Sequence, residues 1–354
     1  MNPRISIIIP TYNVSKYVEK CLLSVLNQDF KGSFEVLVID DCGIDDSINK
    51  VDAIINMHPR GRLIRIIHHE TNKGLGPSRN TGIDNAQGKY IFFLDSDDWI
   101  SQDCMSILYN KIVETDADFV VGSVKRIEEN TERLKSSNIY PDTIVEVPGA
   151  GVYMTIHSPD FHIEVWNKLY KTDFLRKNSI RFVHRIFEDY YFDFRLRASA
   201  NKIALVHDVT LFYNIRQNSI LTTLKASNGS DESVRTFCEI IQYLKQMVLN
   251  EYSSVEGIYD LYFERMIWVF ENLKRYRYSV EQWRYIDEHI TGFCSFVPSL
   301  DLLSINRHRN IYSRLLENET IANLYSVKAR VDKISLTKRL IIYCKIITNK
   351  LFKR

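Results

Sequence analysis

The sequence predicts an α/β fold, a mainly parallel sheet with flanking helices, followed by a helical C-terminal region. Three observations predict it. First, short apolar, β-branched runs recur at 5–9 (ISIII), 36–39 (VLVI), 63–67 (LIRII), 90–94 (YIFFL) and 119–124 (FVVGSV), as expected of strands buried on both faces. Second, stretches of helical periodicity separate these runs, the alternation that gives parallel strands with right-handed crossovers. Third, the texture changes beyond about residue 225: 231–292 is helical in period and aromatic-rich (Trp268, Phe270, Tyr276, Tyr278, Trp283), and no strand of weight follows Tyr213.

The elements follow in order. After the first strand, Ser15 is the expected N-cap of a helix whose apolar stripe is Val18, Cys21, Leu22, Val25 and Leu26. The second strand ends in Asp40 and Asp41, and a weaker helix spans roughly 45–56. The third strand leads to a glycine-bearing loop, Asn72 to Pro77, and a short helix. The fourth strand ends in Asp95-Ser96-Asp97-Asp98, before a helix at about 103–115. From 125 to 150 the chain turns polar and irregular. The expected organisation is 1–225 as the α/β domain, 226–323 as a helical region and 324–354 as a basic C-terminal helix, with no internal repeat.

Composition narrows the class. Of 354 residues, 45% are apolar and 25% charged, the profile of a globular chain with a sizeable core. Six scattered cysteines (Cys21, Cys42, Cys104, Cys238, Cys294, Cys344) make no C-x-x-C pair, so they read as reduced thiols of a cytoplasmic protein. The Ile5–Ile9 run, stopped by Pro10, is too short for a signal peptide. No stretch approaches the ~18 apolar residues of a membrane span.

The polar residues gather where parallel sheets bind ligands, at the carboxyl ends of the strands. Asp95, Asp97 and Asp98 would repel one another if left bare. A hard divalent cation, Mn²⁺ or Mg²⁺, resolves this, binding through one or two carboxylates together with substrate phosphates. A solvated helix N-terminus also accounts for such acids. One of Asp40 and Asp41 could accept a uracil imino proton, or cap the next helix. Thr11, Tyr12 and Asn13 offer hydrogen bonds and an aromatic face to a base, or form a plain turn. Arg79 behind the glycine loop can pair with phosphate. The loop is not a Walker loop, and no G-x-G-x-x-G follows the first strand. Glu188 and Asp189 open a helical run to Ala200. A carboxylate there could take the proton of an acceptor hydroxyl, and a single displacement needs only one such base.

On these residues the chain resembles glycosyltransferase family 2: SIIIPTYN at 6–13, FEVLVIDD at 34–41, NKGLGPSRNTGI at 72–83, GKYIFFLDSDDW at 88–99, WNKLYK at 166–171 and FEDYYF at 187–192. The order and spacing match over roughly 1–220. The WNKLY element followed by an ED pair looks like the bacterial capsule, lipopolysaccharide and exopolysaccharide branch. The resemblance implies a GT-A fold, Rossmann-like, and inverting transfer from a nucleotide sugar, UDP by default. It implies that Thr11, Tyr12, Asn13 and Asp41 meet the nucleoside, with Asp41 on the base, and that Arg79 and Asp95 lie near the nucleotide. Asp97 is expected on the ribose or sugar and, with Asp98, on the metal, Asp98 being the direct ligand. Asp189 is the implied catalytic base, and Trp166, Lys168 and Glu188 are implied on the acceptor side.

Net charge is +2, yet Lys328–Arg354 alone carries +8 and the remainder −6. Residues 327–354 read as an amphipathic helix with Leu336, Leu340, Cys344, Ile347 and Leu351 on one stripe, broadened by Ile342 and Ile346. Such a helix suits an anionic membrane surface at the inner face of the cytoplasmic membrane, beside a lipid-linked acceptor, or docks on the protein itself. The acidic remainder argues against nucleic acid. Two other readings stay open: a non-catalytic nucleotide-sugar-binding or scaffolding module, and a sugar nucleotidyltransferase. The second would show a glycine- and arginine-rich first loop where this chain has Pro10-Thr11-Tyr12-Asn13.

Overall fold

The computed structural model describes residues 3–129, 131, 133–157, 161, 164–184, 187–216 and 231–273. They fall into two compact units, Met1–Met154 with Ser158–Gln217, and Thr155–His157 with Asn218–Arg354.

The first unit is built on a ten-stranded sheet. Its strands are β1 (Ile5–Thr11), β2 (Phe34–Asp40), β3 (Ile64–His68), β4 (Tyr90–Phe93), β5 (Trp99–Ile100), β6 (Phe119–Glu128), β7 (Leu134–Asn138), β8 (Thr143–Glu146), β9 (Lys168–Lys171) and β10 (Lys202–Ile215). Their order is β3-β2-β1-β4-β9-β6-β10-β5, with β7 beside β6 and β8 beside β10. The helices are α1 (Val18–Leu26), α2 (Ser47–Met57), α3 (Leu75–Asn85), α4 (Cys104–Thr115), α5 (Ala150–His157), α6 (Thr172–Lys177) and α7 (Glu188–Ser199).

Alternation along the strands builds a core on each sheet face. Ile5, Ile7, Ile9, Val36, Val38, Phe92 and Leu94 pack with α1 and α4 residues such as Leu22, Val25 and Leu108. Ile8, Leu37, Ile39, Ile91 and Phe93 pack on the opposite face with Ile83, Leu175 and Phe192. Each such side chain contributes roughly 1.5–3 kcal/mol on burial, which holds the strand ends rigid.

One expectation needs detail and a second needs correction. The sheet is parallel only in part: β1–β2, β1–β4, β2–β3 and β6–β10 run parallel. The β4–β9, β6–β9, β5–β10, β6–β7 and β8–β10 pairs are antiparallel. Strands such as β7, exposed along most of its length, carry no apolar run to reveal them. Nor does Ser15 cap α1. The helix starts at Val18, after Tyr17, without a side-chain cap. Ser15 instead has its amide held by Asp45 Oδ2 at 2.8 Å and its carbonyl by Lys50 Nζ at 2.8 Å, tying the β1 loop to the start of α2.

In the second unit, α8 (Asp231–Met247) runs through a π-helical turn, Val248–Tyr252, and is followed by α9 (Ile258–Leu273). The two helices pack together. Val234, Phe237, Cys238, Ile241, Leu244 and Val248 are buried at helical spacing. The expected boundary near 225, Tyr276, Tyr278, Trp283 and the basic segment 324–354 lie outside the described residues. No helix among the described residues is long and apolar enough to cross a membrane.

Helix α3 seats on β1 through Gly82, where an added Cβ would stand closest to Ile8. Gly82→Ala is expected to destabilise the first unit by about 1–3 kcal/mol through overpacking, read as a lower urea midpoint with an unchanged slope. An unchanged midpoint would show that α3 can lift without cost.

Candidate active site

Parallel strands β1, β2 and β4 end on one edge of the sheet, and their polar residues meet there. Thr11 is buried, and its carbonyl accepts the Asp41 amide at 3.0 Å. Tyr12 is 46% exposed. Asn13 has left-handed backbone, φ 50°, and its Oδ1 accepts the Ile44 amide at 2.9 Å. Asn13 therefore joins the loops after β1 and β2.

Asp41 is buried at 3% exposure. Its Oδ1 accepts the Lys73 amide at 2.8 Å and its Oδ2 the Gly74 amide at 2.8 Å. The glycine loop is thus anchored to the end of β2. Gly74 has φ 89°, a backbone that side-chain-bearing residues rarely adopt.

Arg79 is the centre of the site. It lies on α3 with 1% exposure. One terminal nitrogen donates to Glu188 Oε1 at 2.7 Å and Asp189 Oδ1 at 2.8 Å; the other donates to Asp95 Oδ1 at 2.8 Å. Its guanidinium sits 5.2 Å from the Phe182 ring centroid. Burial disfavours the charged guanidinium, but Asp189, Asp95 and Glu188 outweigh that and hold it protonated beyond its usual range. The charge fork is what lets one side chain bridge three carboxylates.

Glu188 and Asp189 begin α7, where a helix N-terminus favours acids. Phe187, just before them, has left-handed backbone, φ 62°. Burial raises the Asp189 carboxyl well above the usual carboxylate range; Arg79 pulls it back, and Glu188 and Asp95 add to the rise. The side chain is still 23% exposed, so one edge can reach solvent.

Asp97 pairs with Arg216 Nε at 2.5 Å. Asp98 is 1% exposed. Its Oδ1 accepts the Asn214 amide at 2.8 Å, while Oδ2 is buried with no hydrogen-bond partner. Burial, then the charges of Asp97 and Asp95, push the Asp98 carboxyl well up. Asp97 is raised by burial and Asp95, opposed by Arg216. An orphaned buried carboxylate oxygen in a crowd of negative charge fits a divalent cation. No group of three or more His, Cys, Asp or Glu side chains among the described residues makes a full cage. The fit is to an ion held by one or two carboxylates and completed by phosphate and water.

Trp166 and Lys168 are both buried. Trp166 stacks on Tyr213, centroids 5.5 Å apart. Lys168 Nζ donates to the Glu164 carbonyl, and burial pushes its pKa down to about 8 against the attraction of Asp193 and Glu164. Neither side chain offers more than 3% of its surface. Between them, Asn167 donates to the Gly122 and Ser123 carbonyls and accepts from Thr210 Oγ1 at 2.6 Å, stitching β6, β9 and β10. Sequence reasoning missed Asn167, Asn214, Arg216 and His69. The last three follow or end apolar strands on the polar edge, and that position was their legible signal.

Removing Arg79 would strand three carboxylates. Arg79→Met is expected to cost about 3–5 kcal/mol at neutral pH, measured by urea unfolding. Burial already raises the Asp189 carboxyl against the pull of Arg79, so without the guanidinium its folded pKa stands further above its unfolded one. Its penalty is then absent below the unfolded value, grows as pH rises from there toward the folded one, and is constant above it. The loss should therefore shrink toward acid. A loss that stays constant with pH would contradict the tripod.

Comparison with known proteins places the chain. GlyA of Streptococcus pneumoniae, a glycosyltransferase, is 34% identical over 228 residues, covering 62% of this chain and 32% of that protein. TarS of Staphylococcus aureus, a poly(ribitol-phosphate) beta-N-acetylglucosaminyltransferase, is 27% identical over 252 residues, 70% of this chain and 41% of that protein. The match thus spans well under half the length of either relative. The crystal structure of TarS 1–349 with UDP-GlcNAc superposes with a TM-score of 0.67 at 23% identity, over 92% of this chain and 91% of that one, a likeness of fold. Residues 6–187, just over half of the chain, match the model of glycosyl transferase family 2: the chain belongs to that family and carries its GT-A fold.

Proposed function

We propose that the chain is a metal-dependent, inverting glycosyltransferase. In this reading it moves a sugar from a UDP-sugar to a saccharide or lipid-linked saccharide in cell-surface polysaccharide synthesis. The observation that carries the reading is the Arg79 tripod. One guanidinium holds Asp189, the candidate base, and Asp95, at the end of β4, at 2.8 Å each. The named activity of TarS and the UDP-GlcNAc in its structure support a UDP-sugar donor.

In the proposed reaction the acceptor hydroxyl gives its proton to the Asp189 carboxylate. The new bond forms between that oxygen and the anomeric carbon, the bond to the β-phosphate oxygen breaks, and UDP departs. One displacement inverts the anomeric configuration. The raised pKa direction of Asp189 suits a base working near neutrality. Arg79 fixes the carboxylate toward the acceptor and keeps it from drifting higher still. Tyr12 and Asp41 would meet the nucleoside, and Glu188 would flank the acceptor. Asp98, with Asp97, would hold Mn²⁺ or Mg²⁺, which when bound supplies charge to offset the departing diphosphate.

Asp189→Asn is expected to keep UDP binding by calorimetry yet lose transfer by at least 10²-fold, the low end of base catalysis. Asp98→Ala is expected to abolish Mn²⁺-dependent turnover. In the parent enzyme kcat should rise with pH through the elevated Asp189 pKa and then level. Full transfer by Asp189→Asn would remove the assigned base.

We further propose that 327–354 holds the protein to the inner face of the cytoplasmic membrane. Deleting it should release the protein from anionic vesicles and leave hydrolysis of soluble donor intact; equal vesicle binding by the shortened chain would reject this role.

A further inference from the structure

We propose that His69 is a positioning residue for the donor nucleobase, acting through Asp41. The inference rests on the reading of this edge as the nucleotide site and deepens it.

His69 follows β3 directly, and its amide bonds to the Asp40 carbonyl at 2.9 Å. The ring is buried at 8% exposure. Its Nδ1 lies 2.7 Å from Asp41 Oδ1 and its Nε2 lies 2.9 Å from Thr81 Oγ1. An ionised carboxylate only accepts, so Nδ1 carries the proton toward Asp41. Thr81, on α3, fixes the far side of the ring. One imidazole therefore links the ends of β2 and β3 to the helix that carries Arg79.

The count of acceptor sites gives this link its consequence. A carboxylate has about four lone-pair positions. His69 and the Lys73 amide both use Oδ1, and the Gly74 amide uses one position on Oδ2. A single position on Oδ2 is left. It matches a base that presents one ring N–H, as uracil does at its imino nitrogen. Cytosine offers a bare acceptor at the equivalent ring nitrogen and would face like against like. Without His69 the carboxylate can turn about its own axis, and the loop amides at Lys73 and Gly74 lose their fixed partner. Selection of the base then weakens along with affinity. Asp41 remains the group that touches the base; His69 sets which oxygen it shows.

Calorimetry on the full chain with UDP and CDP tests this, alongside amide exchange at Lys73 and Gly74. His69→Ala is expected to weaken UDP about tenfold, the scale of one charge-assisted hydrogen bond. It should narrow the UDP-to-CDP ratio and speed exchange at both amides. His69→Asn places an amide N–H near the Nδ1 position and should restore most of the affinity. His69→Gln places it near Nε2 and should not. Unchanged UDP affinity and ratio in His69→Ala would overturn the proposal. If that variant does not fold, equal UDP affinity of the Asn and Gln variants overturns it instead, and Asn tighter than Gln upholds it. Failure of the parent protein to bind UDP would overturn the nucleotide-site reading itself, and the proposal with it.

Discussion

A buried positive charge shared among three carboxylates is the constraint on which this architecture turns. Arg79 cannot be inside the protein alone, and neither can Asp95, Glu188 and Asp189 crowd together without it. The three acids come from the end of β4 and the start of α7, and the arginine from α3. Their mutual need therefore fixes two helices against one strand end. The same contacts that keep the charges compatible place a raised-pKa carboxylate beside the sheet edge. Stability and candidate chemistry rest on one guanidinium.

Around that centre the edge is layered by function of the backbone. The loops after β1 and β2 hold each other through Thr11, Asn13 and Ser15, and the loop after β3 is held through Asp41. Most of these bonds use side chains that the sequence offered as ligand contacts. Asn13 spends its oxygen on Ile44, and Asp41 gives two of its acceptor positions to loop amides and a third to His69. Preorganisation of this kind explains why so many polar residues sit at one edge when few of them need touch a ligand.

The parallel half of the fold was legible because each of β1, β2 and β4 is an apolar run ending in acids or hydroxyls. The antiparallel half was not: β5 has two residues, β7 is polar and exposed, and β9 hides in a motif read for its acceptor role. The acids at 95–98 and 188–189 were visible as clusters, and strand ends told where they would lie. Their pairing through Arg79 was not visible, because its contacts to Glu188 and Asp189 join residues more than a hundred positions apart and leave no local period. Lys168 shows the opposite limit. Its place in the motif was plain, yet an ammonium with 1% exposure is a matter of packing that spacing does not encode. Arg216 and Asn214 reach Asp97 and Asp98 from the end of the last strand, across a similar distance in sequence.

The left-handed turn at Phe187 carries its own consequence. The direction in which α7 leaves that turn is a property of the main chain, so the aim of the acid pair is set before any rotamer is chosen. Asparagine or glycine could inherit the corner, but a β-branched successor would resist the twist and swing the whole helix start. Drift at this corner is thereby filtered by shape alone, and a residue with no ionisable group governs where two ionisable neighbours look.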